Sequence, residues 1–269
     1  MQTNGPKGDQ IPMIKKFGLF ILLYVISLLP WVPQHIAPNH VYEDLIWLSG
    51  AILSIILLSA LLGYSNQARL SQATVWDSTW KRYASPGFII GLLAFSFYFL
   101  VRWLLGLFTI ENSLAFIELL PIVSMTFVYT LYIAITEEII FRGYILSAMR
   151  ESLSLKHSIL ISLGLFVLAH LPKLHYLLHS PYAIHLIAAG LVFTYAYVKT
   201  GSIWLSIGLH WGWNMGSFSE ERTLILNNKI MGSWADPLSW IYILVDLLLL
   251  LLIIKLYGGK KHNIGSRSL

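Results

Sequence analysis

Long apolar stretches separated by short polar ones run the length of the chain, and their spacing predicts membrane-spanning helices. About 20 apolar residues cross a bilayer core as an α-helix. Eight candidate spans of that kind can be read, near 14–33, 42–63, 87–109, 122–149, 157–172, 181–199, 202–219 and 237–257. Pro121 can open the fourth, where its missing N–H is harmless in a first helical turn, and Gly201 separates the sixth from the seventh. The pattern predicts an all-α polytopic membrane protein, a bundle of about eight transmembrane helices forming a single membrane domain over 1–269. No internal repeat stands out, which weighs against the duplicated architecture of many transporters.

Composition strengthens this reading. Of the 269 residues, 57% are hydrophobic and 12% charged, whereas ordinary soluble domains carry roughly a quarter charged residues, so no soluble fold class competes. There is no cysteine, which removes disulfides, thiolate metal sites and cysteine nucleophiles together. A net charge of +5 would point to nucleic acid if the basic residues clustered, but they are spread among loops, and no nucleic-acid partner is expected. Insertion into a lipid bilayer explains them better. Lys7, Lys15 and Lys16 precede the first span; Arg69, Lys81 and Arg82 follow the second; Arg142, Arg150 and Lys156 lie near the end of the fourth. Lys199 follows the sixth, and Lys255, Lys260, Lys261 and Arg267 follow or end the eighth, while Lys173, Arg222 and Lys229 fall on the other side. This alternation predicts a first span that is retained rather than cleaved, with N- and C-termini in the cytoplasm.

Against that background some polar residues stand out, because an ionisable group at the bilayer centre costs at least about 2.5 kcal/mol and normally faces the protein interior. Four pieces qualify: EEIIFR (Glu137, Glu138, Arg142), FVLAH (Phe166, His170), GLVFTYAYVKTGSIW (Gly190 to Trp204) and HWGWN (His210, Asn214). On a helix, Glu138 and Arg142 stand four apart in the order that favours an ion pair, while Glu137 points about 100° away. One carboxylate is then neutralised and the other stays free. Taken singly, each residue reads equally well as a hydrogen bond between helices. Depth favours a site: at about 1.5 Å per residue, Glu137 lies roughly 20 Å from Arg150 and His170 roughly 20 Å from His157. His210 and Asn214 lie roughly 12 and 18 Å past Ser202, so all four share one layer of a core about 30 Å thick. Arg102 and Asp246 read as structural pairs or boundary charges, and His175, His179 and His185 as residues at or beyond the outer surface.

Glu137-Glu138-x-x-x-Arg142, Phe166-x-x-x-His170 and His210-x-x-x-Asn214, with TGSIW ahead of His210, together resemble the motif set of the CPBP family of intramembrane proteases. That family includes the type II CAAX prenyl endopeptidases and bacteriocin-processing or immunity proteins. The resemblance covers roughly residues 120–220, the expected catalytic core, and implies an eight-helix bundle. It implies that Glu137 activates a water with help from His170, that His210 and Asn214 stabilise the tetrahedral oxyanion, and that Glu138 and Arg142 complete the first motif, with Phe166 in support. The implied activity is endopeptidase cleavage of a membrane-associated or lipid-anchored peptide or protein, such as a prenylated chain or a bacteriocin precursor. Metal use stays open. A glutamic-type mechanism without cofactor is the expectation, and the alternative is a metalloprotease whose zinc is held by Glu137, His170 and His210; no His-Glu-x-x-His helix is present. Two competing readings are a non-catalytic membrane immunity or adaptor protein and a proton-coupled transporter relaying through Glu137 and His170.

Overall fold

The computed structural model describes residues 12–31, 43–67, 78–171, 174–228 and 237–259. Each of the eight apolar segments holds a helix. In chain order they are α1 (Met13–Ser27), α2 (Glu43–Gln67), α3 (Trp80–Leu104), and α4 (Phe116–Glu138), which runs through a π-helical segment (Ile139–Leu146) into the short α5 (Ser147–Arg150). They continue with α6 (Leu155–Ala169), the short α7 (Leu174–His179), α8 (Tyr182–Thr200), α9 (Ile203–Thr223) and α10 (Pro237–Tyr257). Six stretches are long and apolar enough to cross a membrane: 13–31, 44–67, 80–104, 117–150, 182–200 and 239–257. The protein is therefore an all-α, multi-pass integral membrane protein, with six such stretches among the described residues where the apolar pattern predicted about eight. The two that differ do so for separate reasons. α6 has 15 residues, about 22 Å of helix, and α9 is long enough but carries His210, Asn214 and a serine- and glutamate-rich end.

α9 tolerates that polarity because the bundle shields it. Ile203, Leu205 to His210, Gly212, Trp213 and Met215 are all buried, while Ile21, Ile52, Ile56, Leu93, Phe97, Leu244 and Leu251 on other helices point outward. Apolar side chains facing outward fit a molecule whose solvent is lipid. Lipid provides no hydrophobic drive for helices to associate with one another, so close packing of small residues has to do so. Gly87 and Gly91 on α3 meet Gly208 and Gly212 on α9 so closely that a Cβ on Gly212 would overlap the Phe88 carbonyl, and one on Gly91 the Leu209 carbonyl. The register of α9 against α3 is thereby fixed, and with it the position of Ser206, His210 and Asn214.

The third span was expected to run to residue 109, but the helix stops at Leu104. Gly106 then turns the chain with φ 62°, a conformation that favours glycine. β1 (Phe108–Ser113) follows and pairs antiparallel with β2 (Leu224–Asn228), which leaves α9 directly, Phe108 facing Asn228 and Ser113 facing Leu224. Arg102 donates from Nη1 to both carboxylate oxygens of Glu220, at 2.8 and 3.0 Å, so the α3–α9 pair is closed by a ribbon and an ion pair at one end. Lys16 is buried, with Nζ 2.9 Å from the Ala148 carbonyl and 2.6 Å from Glu151 Oε2; it clamps α1 to the end of α5. Lys7, Arg69, Lys173, Lys229, Lys260, Lys261 and Arg267 of the charge pattern lie outside the described residues.

Gly212→Ala should lower the thermal unfolding temperature of the detergent-solubilised protein, with a loss of about 1–3 kcal/mol from overpacking. Gly164→Ala, where a Cβ meets nothing within 4 Å, should leave it unchanged or raise it slightly. Equal effects from the two substitutions would contradict the backbone contact between α3 and α9.

Candidate active site

The site begins with the joint between α4 and its π-helical continuation. All eight residues of the π segment are buried, and such segments interrupt α-helices most often at functional sites. Glu138 ends the regular helix, and Arg142, one turn on, donates from Nη1 to Glu138 Oε1 at 2.7 Å; neither side chain is exposed. The arginine is no loop charge, although the charge pattern had grouped it with cytoplasmic residues. Its Nη2 donates to the Gly190 carbonyl at 3.1 Å and its Nε to Thr194 Oγ1 at 3.4 Å, both on α8. Its guanidinium lies 4.8 Å from the Phe166 ring and 5.4 Å from the Phe193 ring. A Cβ at position 190 would meet Leu163 Cδ2 at 2.6 Å and Arg142 Nη2 at 3.3 Å, so glycine there lets the guanidinium reach the backbone.

Glu138 accepts two further hydrogen bonds, from Ser206 Oγ to Oε2 and from His210 Nδ1 to Oε1, the latter at 3.0 Å. A carboxylate offers no hydrogen, so the Nδ1 proton must belong to His210. The imidazole stacks on Phe193, centroids 4.7 Å apart and planes within 13°. Its orientation leaves Nε2 3.8 Å from Glu137 Oε2, and that oxygen is buried with no hydrogen-bond partner. The two adjacent glutamates thus differ in kind: Glu138 is fully satisfied, and Glu137 keeps an unused acceptor.

Glu137, His170, His210 and Asn214 all line one cavity of about 690 Å³, and Glu138 does not. His170 enters it from the end of α6, which stops at Ala169 instead of continuing to residue 172. Its Nδ1 donates to the Phe166 carbonyl at 2.8 Å, satisfying a carbonyl that the helix end would leave open, and its ring meets Phe166 edge-on at 4.9 Å. Nε2 is the nitrogen left for other work. Asn214 is half-buried, one turn beyond His210 on the same wall. Among the described residues, no three His, Cys, Asp or Glu side chains converge closely enough to hold a metal ion. Glu137, His170 and His210 therefore do not make a fitted zinc site as they stand.

His185 also lines the cavity, although its sequence position had read as the outer surface. Its Nδ1 is 2.7 Å from Asp246 Oδ2 on α10, which gives a partner to each of two residues that had none in the sequence. The available signal was the spacing of His185, Ala189 and Phe193, four apart on one stripe of α8 and all on the cavity wall.

Residues 119–216 match the family model described as type II CAAX prenyl endopeptidase Rce1-like. The matched stretch contains Glu137, Glu138, Arg142, Phe166, His170, His210 and Asn214. The chain is thus similar to that family over a little more than a third of its length. Neither a curated protein nor a solved structure gives a significant match to the chain.

Arg142→Ala should destabilise the protein by about 3–5 kcal/mol, because it strands the Glu138 charge in the interior. Thermal unfolding in detergent measures this, and a change below about 1 kcal/mol would contradict the pairing.

Proposed function

We propose that the protein is an intramembrane endopeptidase of glutamic type, cleaving a peptide bond in a membrane-associated or lipid-anchored substrate. The observation that carries the reading is the unpartnered, buried Oε2 of Glu137 beside His210 on the wall of a cavity also lined by His170 and Asn214. A water in the cavity is the natural donor to that oxygen, since a buried acceptor left unmade costs free energy. As the water oxygen attacks the substrate carbonyl carbon, its proton passes to Glu137, and His170 Nε2 can accept the second hydrogen to orient the molecule. The carbonyl oxygen becomes an anion.

The Asn214 amide supplies one donor to that oxyanion, and His210 supplies another from Nε2–H when the ring is doubly protonated. Glu137 then returns its proton to the amide nitrogen as the carbon–nitrogen bond breaks, releasing an amine and a carboxylic acid. Every proton is accounted for without a metal. Glu138 acts as a positioning residue in this scheme: it touches no substrate and holds His210 by Nδ1. Arg142 in turn supplies the counter-charge to Glu138. The cytoplasmic placement of both termini belongs to the same proposal and follows from the distribution of lysine and arginine.

Glu137→Gln nearly preserves shape while removing the base, so peptide cleavage by the purified protein should fall by at least about 100-fold with thermal stability retained. Cleavage should survive a strong chelator. A Glu137→Gln protein with full activity would end the proposal, and cleavage abolished by chelator and restored by zinc would replace it with a metalloprotease. Retention of a biological effect by Glu137→Gln without any cleavage would favour the adaptor reading.

A further inference from the structure

His185 is the imidazole on the cavity wall that the hydrolytic scheme leaves without a task. Its side chain is 11% exposed and that of Asp246 2%, and His185 Nε2 has no hydrogen-bond partner among the described residues. A carboxylate on a membrane-spanning helix needs a counter-charge, and His185 is the ion-pair partner of Asp246 among the described residues. A doubly protonated His185 spends one N–H on Asp246 and keeps the other. The rings of Tyr182, Trp213 and Tyr242 surround it, at 5.8, 6.0 and 4.9 Å, and aromatic faces favour a cation.

Its distance from the hydrolytic cluster follows from the helix. His185 and Phe193 lie on the same cavity-facing stripe of α8, eight residues or roughly 12 Å apart, and Phe193 stacks on His210. An extended peptide advances about 3.3–3.6 Å per residue, so His185 meets the substrate about three to four residues from the bond being cut. A CAAX box is the last four residues of its chain, so cleavage within the box leaves the terminal carboxylate at most about three residues from the scissile bond. In an apolar cavity that carboxylate needs a donor. We propose that the His185–Asp246 pair binds the free C-terminal carboxylate of the substrate, the imidazolium donating one N–H to each carboxylate, and so selects peptides that end close to the cleaved bond. This rests on the endopeptidase reading above.

The test compares two synthetic S-farnesylated CAAX-box peptides, identical except that one ends in a free acid and the other in a carboxamide, as substrates for the full-length protein in detergent. Wild type should cleave the acid with a kcat/KM about tenfold or more above that of the amide, the range of a charge-assisted hydrogen bond. His185→Ala should bring the acid-to-amide ratio close to one, and Asp246→Asn should lower it. A merely structural role for the pair would change both substrates alike and keep the ratio. If neither variant folds, the wild-type comparison decides by itself: cleavage of both peptides at equal rates overturns the carboxylate site and leaves the protease intact. Cleavage of neither overturns both.

Discussion

A full negative charge buried away from water has to be met by positive charge and hydrogen bonds, and the rest of the site depends on how Glu138 meets that demand. Its two oxygens take Arg142, Ser206 and His210. Arg142 in turn spends two further donors on Gly190 and Thr194 and lies against the rings of Phe166 and Phe193. One carboxylate thereby connects the α4 joint to α8 and α9, with α6 packed on the guanidinium through Phe166. Replacing a buried ion pair by well-packed apolar residues is often neutral or stabilising, while removing one partner is costly. Stability alone is therefore a weak reason for the pair, and its hold on the His210 ring is a better one.

The same economy of polar groups explains why α9 looks unlike a membrane helix. Its burial against α3 through four glycines lets it carry a histidine and an asparagine without presenting them to lipid. Packing that needs small residues and chemistry that needs polar ones are interleaved on one helix: Gly208 and Gly212 face α3, Ser206 and His210 face Glu138, and Asn214 faces the cavity. Two neighbouring glutamates consequently live in opposite environments. Glu138 lies behind the cavity wall with both oxygens hydrogen-bonded, and Glu137 lies on the wall with its Oε2 buried and unpartnered.

Much of this was legible in the sequence because lipid imposes a strict pattern. Apolar length placed a helix in all eight segments, with α8 and α10 falling within a residue of the expected bounds. The i, i+4 spacing of Glu138 and Arg142 gave the ion pair. What the pattern missed is three-dimensional in origin. Nothing in IIFRGYIL marks a π-helix, and the early end of α6 at Ala169 depends on His170 capping its own helix. His185 and Asp246 were read separately because they are 61 residues apart and only the packing of α10 on α8 joins them. Arg102 found its partner in Glu220 for the same reason.

The central claim is that Glu138 sets the orientation and tautomer of His210, and nitrogen-15 NMR of histidine-labelled protein tests it most directly. The account predicts a His210 whose Nδ1 bears a proton in a strong hydrogen bond, with that signature lost in Glu138→Gln protein that remains folded. A His210 with its proton on Nε2 alone, or an Nδ1 signal indifferent to the Glu138 substitution, would contradict it.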